Sequence, residues 1–150
     1  MKPSYRPASP TDAEECVRMR GLTRQNPASE EFLAERGITA SSWGANIESG
    51  ASPGHVCVVD DAIVGYCFGS RESGEIEVVA VLPDFEEMGV GREVLSRTVQ
   101  TLAGLGHRRL YLGCSPDPKS RSYGFYRHLG WRSTGTFDDY GDEILELYVS

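Results

Sequence analysis

One segment, residues 75–102, constrains this chain more than any other. Strand-forming residues run over 75–82 until Pro83-Asp84 stops them, and shortly afterwards Gly89-Val90-Gly91 opens a helical pattern. Val94, Leu95, Thr98, Val99 and Leu102 then recur at helical spacing, forming one continuous, largely apolar face. A strand that turns through two glycines into an amphipathic helix requires a sheet, and the helix must cover a face of it. Glycine at such a junction permits a tight turn and lets an anion approach with no Cβ in the way. The first-turn N–H groups of a helix lack internal partners and point outward at its positive end, so they suit a phosphate or diphosphate. The same two glycines also suit a tight loop and close helix–sheet packing with no ligand at all.

The remaining pattern fits around this unit. Residues 5–8 read as a first strand. Ser9-Pro10-Thr11-Asp12 opens a helix, with Thr11-x-x-Glu14 as a capping box and Cys16, Val17, Met19 and Leu22 as its apolar stripe. Asn26-Pro27 breaks that helix, Ser29 with Glu30 and Glu31 starts another, and a weaker third stretch covers 39–47 before Gly50. Residues 55–59 and 62–68 form a hairpin about Asp60-Asp61. Beyond the long helix, which Gly104 and Gly106 end, the spacing predicts a strand over 109–114 and a turn at Ser115-Pro116-Asp117-Pro118. A short helix over 120–129 capped by Gly130 follows, and two last strands over 131–137 and 143–149. The expected order is β-αα-βββ-α-β-α-ββ. This is a mixed α+β arrangement of the α/β type, with one central sheet and a single domain over residues 1–150.

Composition narrows the function classes. A chain of 150 residues, 39% hydrophobic and 25% charged, can bury a real core, which argues against disorder. Its longest apolar runs are too short to span a bilayer. MKPSYRPASP has no stretch resembling a signal peptide, so a cytoplasmic protein is expected. The net charge of −7 argues against nucleic-acid binding through general positive charge. Residues 89–132 nevertheless carry eight Lys/Arg against Glu93 and Asp117, a local +6 in an otherwise acidic chain. Such an island suits a locally bound anion, and equally a solvated mosaic of charge. Cys16, Cys57, Cys67 and Cys114 form no C-x-x-C motif, and His55, His107 and His128 complete no ligand set, so no metal is expected and the thiols read as reduced and structural. Two nucleotide motifs fail on spacing: a dinucleotide fingerprint needs Gly or Ala where Val94 stands, and a P-loop needs Gly-Lys-Ser/Thr where Arg92-Glu93 follows Gly91.

The second informative stretch is Phe125-Tyr126-Arg127-His128-Leu129-Gly130-Trp131, a tyrosine one turn before a glycine cap and an aromatic strand start. With residues 79–92 ahead of it in this order, the chain resembles the GNAT superfamily of acyl-CoA-dependent N-acyltransferases. Arg6-Pro7-Ala8, Asp12 and the hairpin over 60–65 extend the resemblance over nearly the whole sequence. It implies a mostly antiparallel sheet that splays after the strand over 75–82, with helices on its faces. It also implies acetyl-CoA as acyl donor and no metal. The family's Q/R-x-x-G-x-G/A motif falls on residues 86–91, so the amides of Glu87, Met88, Gly89, Val90, Gly91 and Arg92 would meet the diphosphate. Val79, Ala80 and Val81 would pair with the pantetheine arm like an added strand. Tyr126 matches the tyrosine that protonates the departing thiolate. Glu86 departs from the motif, placing a carboxylate where a donor is usual, and Lys119 stands where many relatives carry asparagine.

Attack on a thioester needs a neutral amine, so a base must take a proton. Gly113 and Cys114 occupy the strand region where some relatives carry a glutamate. Glu75 and Glu77 remain as candidates, on one face of their strand because i and i+2 point the same way. The expected partner is a small-molecule or peptide amine. The acids Glu30, Glu31, Glu35, Glu48, Asp138, Asp139, Asp142 and Glu143 favour a cationic one, or serve solubility alone. Trp43 reads as a pocket residue or as core. Neither a nucleic acid nor a membrane is expected as partner, and a homodimer is compatible with these features. The alternative is a non-catalytic acyl-CoA-binding module of the same fold.

Overall fold

The computed structural model describes residues 2–23 and 29–149. Strand β1 (Ser4–Pro7) leads through a 3-10 turn (Pro10–Asp12) into helices α1 (Ala13–Arg20), α2 (Glu30–Glu35) and α3 (Ala40–Ser49). Strands β2 (Gly54–Val59), β3 (Ala62–Gly69) and β4 (Ile76–Val81) follow, then a 3-10 stretch (Pro83–Met88) and helix α4 (Val90–Gly104). Strand β5 (Arg109–Cys114), helix α5 (Arg121–His128) and strands β6 (Arg132–Phe137) and β7 (Glu143–Tyr148) complete the chain. The expected break at Asn26-Pro27 lies outside the described residues. Three helices precede β2; the third, which the expected order left uncounted, is the weaker stretch expected over 39–47. Helix α3 carries a weak apolar stripe but is well capped: Thr39 accepts from the Ser42 N–H at 3.1 Å, and Gly50 ends it at φ 85°.

The strands form two antiparallel ladders, β1-β2-β3-β4 and β5-β7-β6, so β7 inserts between β5 and β6. The ladders meet at one parallel bridge, Glu75 to Tyr111, where the Tyr111 N–H reaches the Gly74 carbonyl at 3.4 Å. Beyond it β4 and β5 diverge. The β2–β3 hairpin turns through Asp60 and Asp61 at φ 50° and 65°, the left-handed pair whose twist matches the strands.

Helix α4 covers this sheet with the face its sequence marks: Val94, Leu95, Thr98 and Leu102 are buried, with Val90 ahead of them. Two glycines of β3 let the helix approach closely. A Cβ on Gly65 would collide with Val90, and one on Gly69 would lie 2.7 Å from Leu102 Cδ1. Each buried Val or Leu here contributes about 1.5–3 kcal/mol. Leu110, Leu112, Leu145 and Trp131 continue the core beneath the second ladder. The four cysteines are free and buried, and burial pushes their thiols up, Cys67 to about 12, which keeps them unreactive. Among the described residues no helix is long and apolar enough to cross a membrane.

The start of α1 corrects the expected capping box. Thr11 and Glu14 do not form it; the Ser9 N–H donates to Asp12 Oδ2 at 2.8 Å instead, and Arg6 holds both Asp12 oxygens at 2.7 and 2.9 Å. Burial alone would raise the Asp12 carboxyl, but the Arg6 and Ser9 hydrogen bonds with the Arg6 charge hold it below its ordinary value. A depressed carboxyl contributes stability above its unfolded pKa and loses it as pH falls through the folded one. Asp12→Asn is therefore expected to cost about 1.5–3 kcal/mol in urea unfolding at neutral pH. The gap to wild type should close in acid.

Candidate active site

The divergence of β4 from β5 creates the site. Because no ladder partner follows Glu75 on that side, the splay opens a cavity of about 460 Å³ between Ile76–Ala80 on one strand and Leu112, Gly113 and Cys114 on the other. Its far side is Tyr126 of α5, and Asp142 closes the end towards β7. Across Val79 and Ala80 it adjoins a second cavity of about 220 Å³, which Val81, Gly89, Gly91, Arg92, Arg121, Phe125 and Tyr126 also line. Tyr126 faces both.

The second cavity lies at the start of α4, and its lining has the make-up of an anion cradle. Gly89 takes φ 76° and ψ 11°, a left-handed turn that ends the 3-10 stretch and starts α4. The first donor of the helix ladder is the Glu93 N–H, to the Gly89 carbonyl at 3.1 Å, so the amides of Val90, Gly91 and Arg92 precede it. Space beside Gly89 is open, and a Cβ on Gly91 would sit 3.4 Å from Val81 Cγ2 and 3.5 Å from Phe125 Cζ, at the cradle floor. Arg92 and Arg121 bring positive charge to this opening. Arg121 reaches across it, at 3.2 Å from Glu87 Oε1 and 2.9 Å from the Glu86 carbonyl oxygen. These arginines offset the two carboxylates that the motif carries.

Of the residues expected here, Val79, Ala80, Val81, Gly89, Gly91 and Arg92 line the cradle together with Glu86. Glu87 does not line it and instead holds Arg121; Met88 is exposed; the Val90 side chain is buried in the core, leaving only its amide at the helix start. Lys119 lies in the turn before α5, its N–H on Asp117 Oδ1 at 2.9 Å, and lines none of these cavities. Three of the eight cations of the basic island are spent within the protein: Arg97 pairs with Glu93, Arg109 with Glu146 and Arg127 with Glu143. Arg92 and Arg121 are what the island gives the cradle. Arg121 and Ser122 also line it, and their only sequence signal is their position in the first turn of the tyrosine helix; Phe125, beside Tyr126 in the second informative stretch, lines it as well.

Tyr126 is wedged edge-on between Phe125 and Trp131, with ring centroids 5.0 and 6.1 Å away. Its hydroxyl has no hydrogen-bond partner among the described residues, and burial pushes its phenol above the ordinary tyrosine value. The two candidate glutamates separate. Glu77 lines the splay cavity, while Glu75 lines none of the cavities around it. Burial raises the Glu77 carboxyl against a Ser52 hydroxyl 3.4 Å from Oε1; burial, then the Glu77 and Asp138 charges, raise that of Glu75.

A third cavity, of about 470 Å³, opens from Glu77 and Asp142 towards α1–α3. Trp43 lines it and also packs on Tyr66 and Phe68, with centroids 5.6 and 5.2 Å away, so it is both pocket wall and core. Of the acids considered for a cationic rim, Asp142 alone faces this space; Glu143 is held by Arg127 at 2.6 Å and Ser133 at 2.5 Å. Arg20 and Arg36 face it too. Among the described residues no cluster of three or more His, Cys, Asp or Glu could hold a metal ion.

Solved structures share this fold. The PaiA N-acetyltransferase of Thermoplasma acidophilum, in complex with coenzyme A, superposes with a TM-score of 0.82 at 17% identity, covering 99% of this chain and 100% of its own. YncA of Salmonella typhimurium, with its cofactor acetyl-CoA, gives 0.76 at 17% identity over 100% of this chain and 95% of its own. The ribosomal-protein-S18-alanine N-acetyltransferase of Escherichia coli gives 0.71 at 17% identity over 99% and 95%. No curated protein matches the chain in sequence. The acetyltransferase (GNAT) family model matches residues 15–131, most of the chain, and the protein belongs to that family.

Proposed function

We propose that the protein transfers an acetyl group from acetyl-CoA to the primary amine of a small molecule or peptide, by direct attack in a ternary complex. The observation that carries this reading is the continuity of three spaces. An anion cradle at the start of α4 adjoins a splay along β4, which opens past Tyr126 and Glu77 into a separate acceptor cavity. The cradle fits a diphosphate: first-turn amides, open space beside Gly89 and two arginines at the rim. The unpaired side of β4 fits the amide-bearing arm of the donor.

The chemistry then has a place for each proton. Glu77, directly or through water, takes the proton from the ammonium of the acceptor. The freed nitrogen lone pair forms the bond to the thioester carbonyl carbon, and the carbon–sulfur bond breaks. As that bond breaks the attacking nitrogen loses its second proton to solvent and the Tyr126 hydroxyl gives its own to the sulfur. Tyr126 then recovers a proton from solvent and Glu77 releases the one it took, so the products are an amide, a thiol and, in sum, one released proton. A panel of amines with acetyl-CoA, read by thiol release, tests this directly. Thiol release with at least one amine supports it. Coenzyme A binding with no release from any amine would instead favour a non-catalytic acyl-CoA-binding module.

Gly91→Val probes the cradle separately. Its Cβ meets only ordinary contacts, so folding is expected to persist, while its methyls enter the space where the anion sits. Losing one or two charge-assisted hydrogen bonds, at about 1.5–3 kcal/mol each, corresponds to about 100-fold weaker coenzyme A binding. Calorimetry on the variant reads this, and an unchanged affinity would move the diphosphate elsewhere.

A further inference from the structure

The acceptor cavity carries charges of both signs on different elements. Arg20 ends α1 and Arg36 follows α2, while Glu77 stands on β4 and Asp142 precedes β7. Among the described residues no ion pair joins the arginines to the carboxylates. Arg36 lies over the Phe32 ring, 3.8 Å from its centroid, and Glu77 meets only the Ser52 hydroxyl. Arg20 and Asp142 are half-buried in the cavity and Arg36 and Glu77 stand at its exposed rim, so all four side chains remain open to a bound molecule. Four such groups kept apart are complementary to a ligand that itself carries both signs. Trp43 and Phe68 add an apolar wall between the helical and the sheet side.

We infer that the acceptor is amphoteric: an amine that also bears a carboxylate, received at Arg20 and Arg36 while its amine faces Glu77. This rests on the acyl-transfer reading and narrows it. A polyamine would meet two arginines of its own sign, and a dicarboxylate would meet Glu77 and Asp142, so both are selected against. A peptide N-terminus, whose carboxylate is masked as an amide, would leave the arginines without a partner.

The test compares the amino acids with their α-amides as acceptors at fixed acetyl-CoA. For the best acceptor, kcat/KM of the acid is expected to exceed that of its amide by at least about tenfold, the effect of one charge-assisted hydrogen bond. In Arg20→Gln/Arg36→Gln this ratio should fall towards one. Amides equal to or better than every acid, or a ratio that the double variant leaves unchanged, would overturn the inference. Calorimetry of the same pairs on protein loaded with coenzyme A decides it even without turnover. Acetylation of a polyamine or peptide but of no amino acid would remove this inference and leave acyl transfer standing, whereas no thiol release from any amine strikes the acyl-transfer reading itself.

Discussion

Tyr126→Phe is expected to lower kcat by about 10²–10⁴-fold, the usual contribution of a positioned proton-transfer group, with the donor dissociation constant little changed. The substitution removes one oxygen and leaves the ring edge-on between Phe125 and Trp131, so the walls of both cavities persist. The hydroxyl is free of protein partners among the described residues and stands where the cradle meets the splay. Because burial holds the phenol above its ordinary value, it stays protonated over the working pH range and gives no basic limb to the rate profile. Steady-state thiol release and coenzyme A calorimetry on the variant check both halves. Equal losses in kcat and donor affinity would mark Tyr126 as a packing residue.

Glu77→Gln should cause a comparable loss in kcat, about 10²-fold or more, while Glu75→Gln changes it little. The two carboxylates share a face, but Glu77 alone borders the cavities in which donor and acceptor would meet. Burial raises the Glu77 carboxyl above the ordinary glutamate value, towards working pH, which improves it as a base. A base works deprotonated, so the rate should fall as pH drops through this raised pKa. Glu77→Gln should lose that acid limb and keep only the slope set by the amine. A larger loss in Glu75→Gln, or an unchanged acid limb in Glu77→Gln, would reverse the assignment.

What the chain makes legible in sequence is what local periodicity encodes. Val94, Leu95, Thr98 and Leu102 mark the buried face of α4 outright, and the run ending at Cys114 matches β5 at both bounds. Gly89 is legible because a left-handed turn at a helix start favours glycine, whereas Gly91 lies inside the helix and faces Val81 and Phe125. Pairings between distant strands carry no such local mark. The insertion of β7 between β5 and β6 depends on which edges remain after the others pair, and nothing in residues 143–148 states it. Capping by Ser9 and Asp12 in place of Thr11 and Glu14 follows from Arg6, which draws Asp12 into a bidentate pair. Arg20, Arg36 and Arg121 escaped notice for a related reason. Each is a single residue at the end of a short helix, and only the folded chain brings it to a cavity.

The central claim is that main-chain donors beside Gly89 and Gly91 hold a diphosphate and so aim a thioester along β4. Titration calorimetry of the protein with coenzyme A, against pantetheine as the arm without its diphosphate, tests it most directly. The account predicts saturable heat with coenzyme A and at least about 100-fold weaker binding of pantetheine. No heat with coenzyme A at millimolar concentration, or equal affinity for the two, would contradict it.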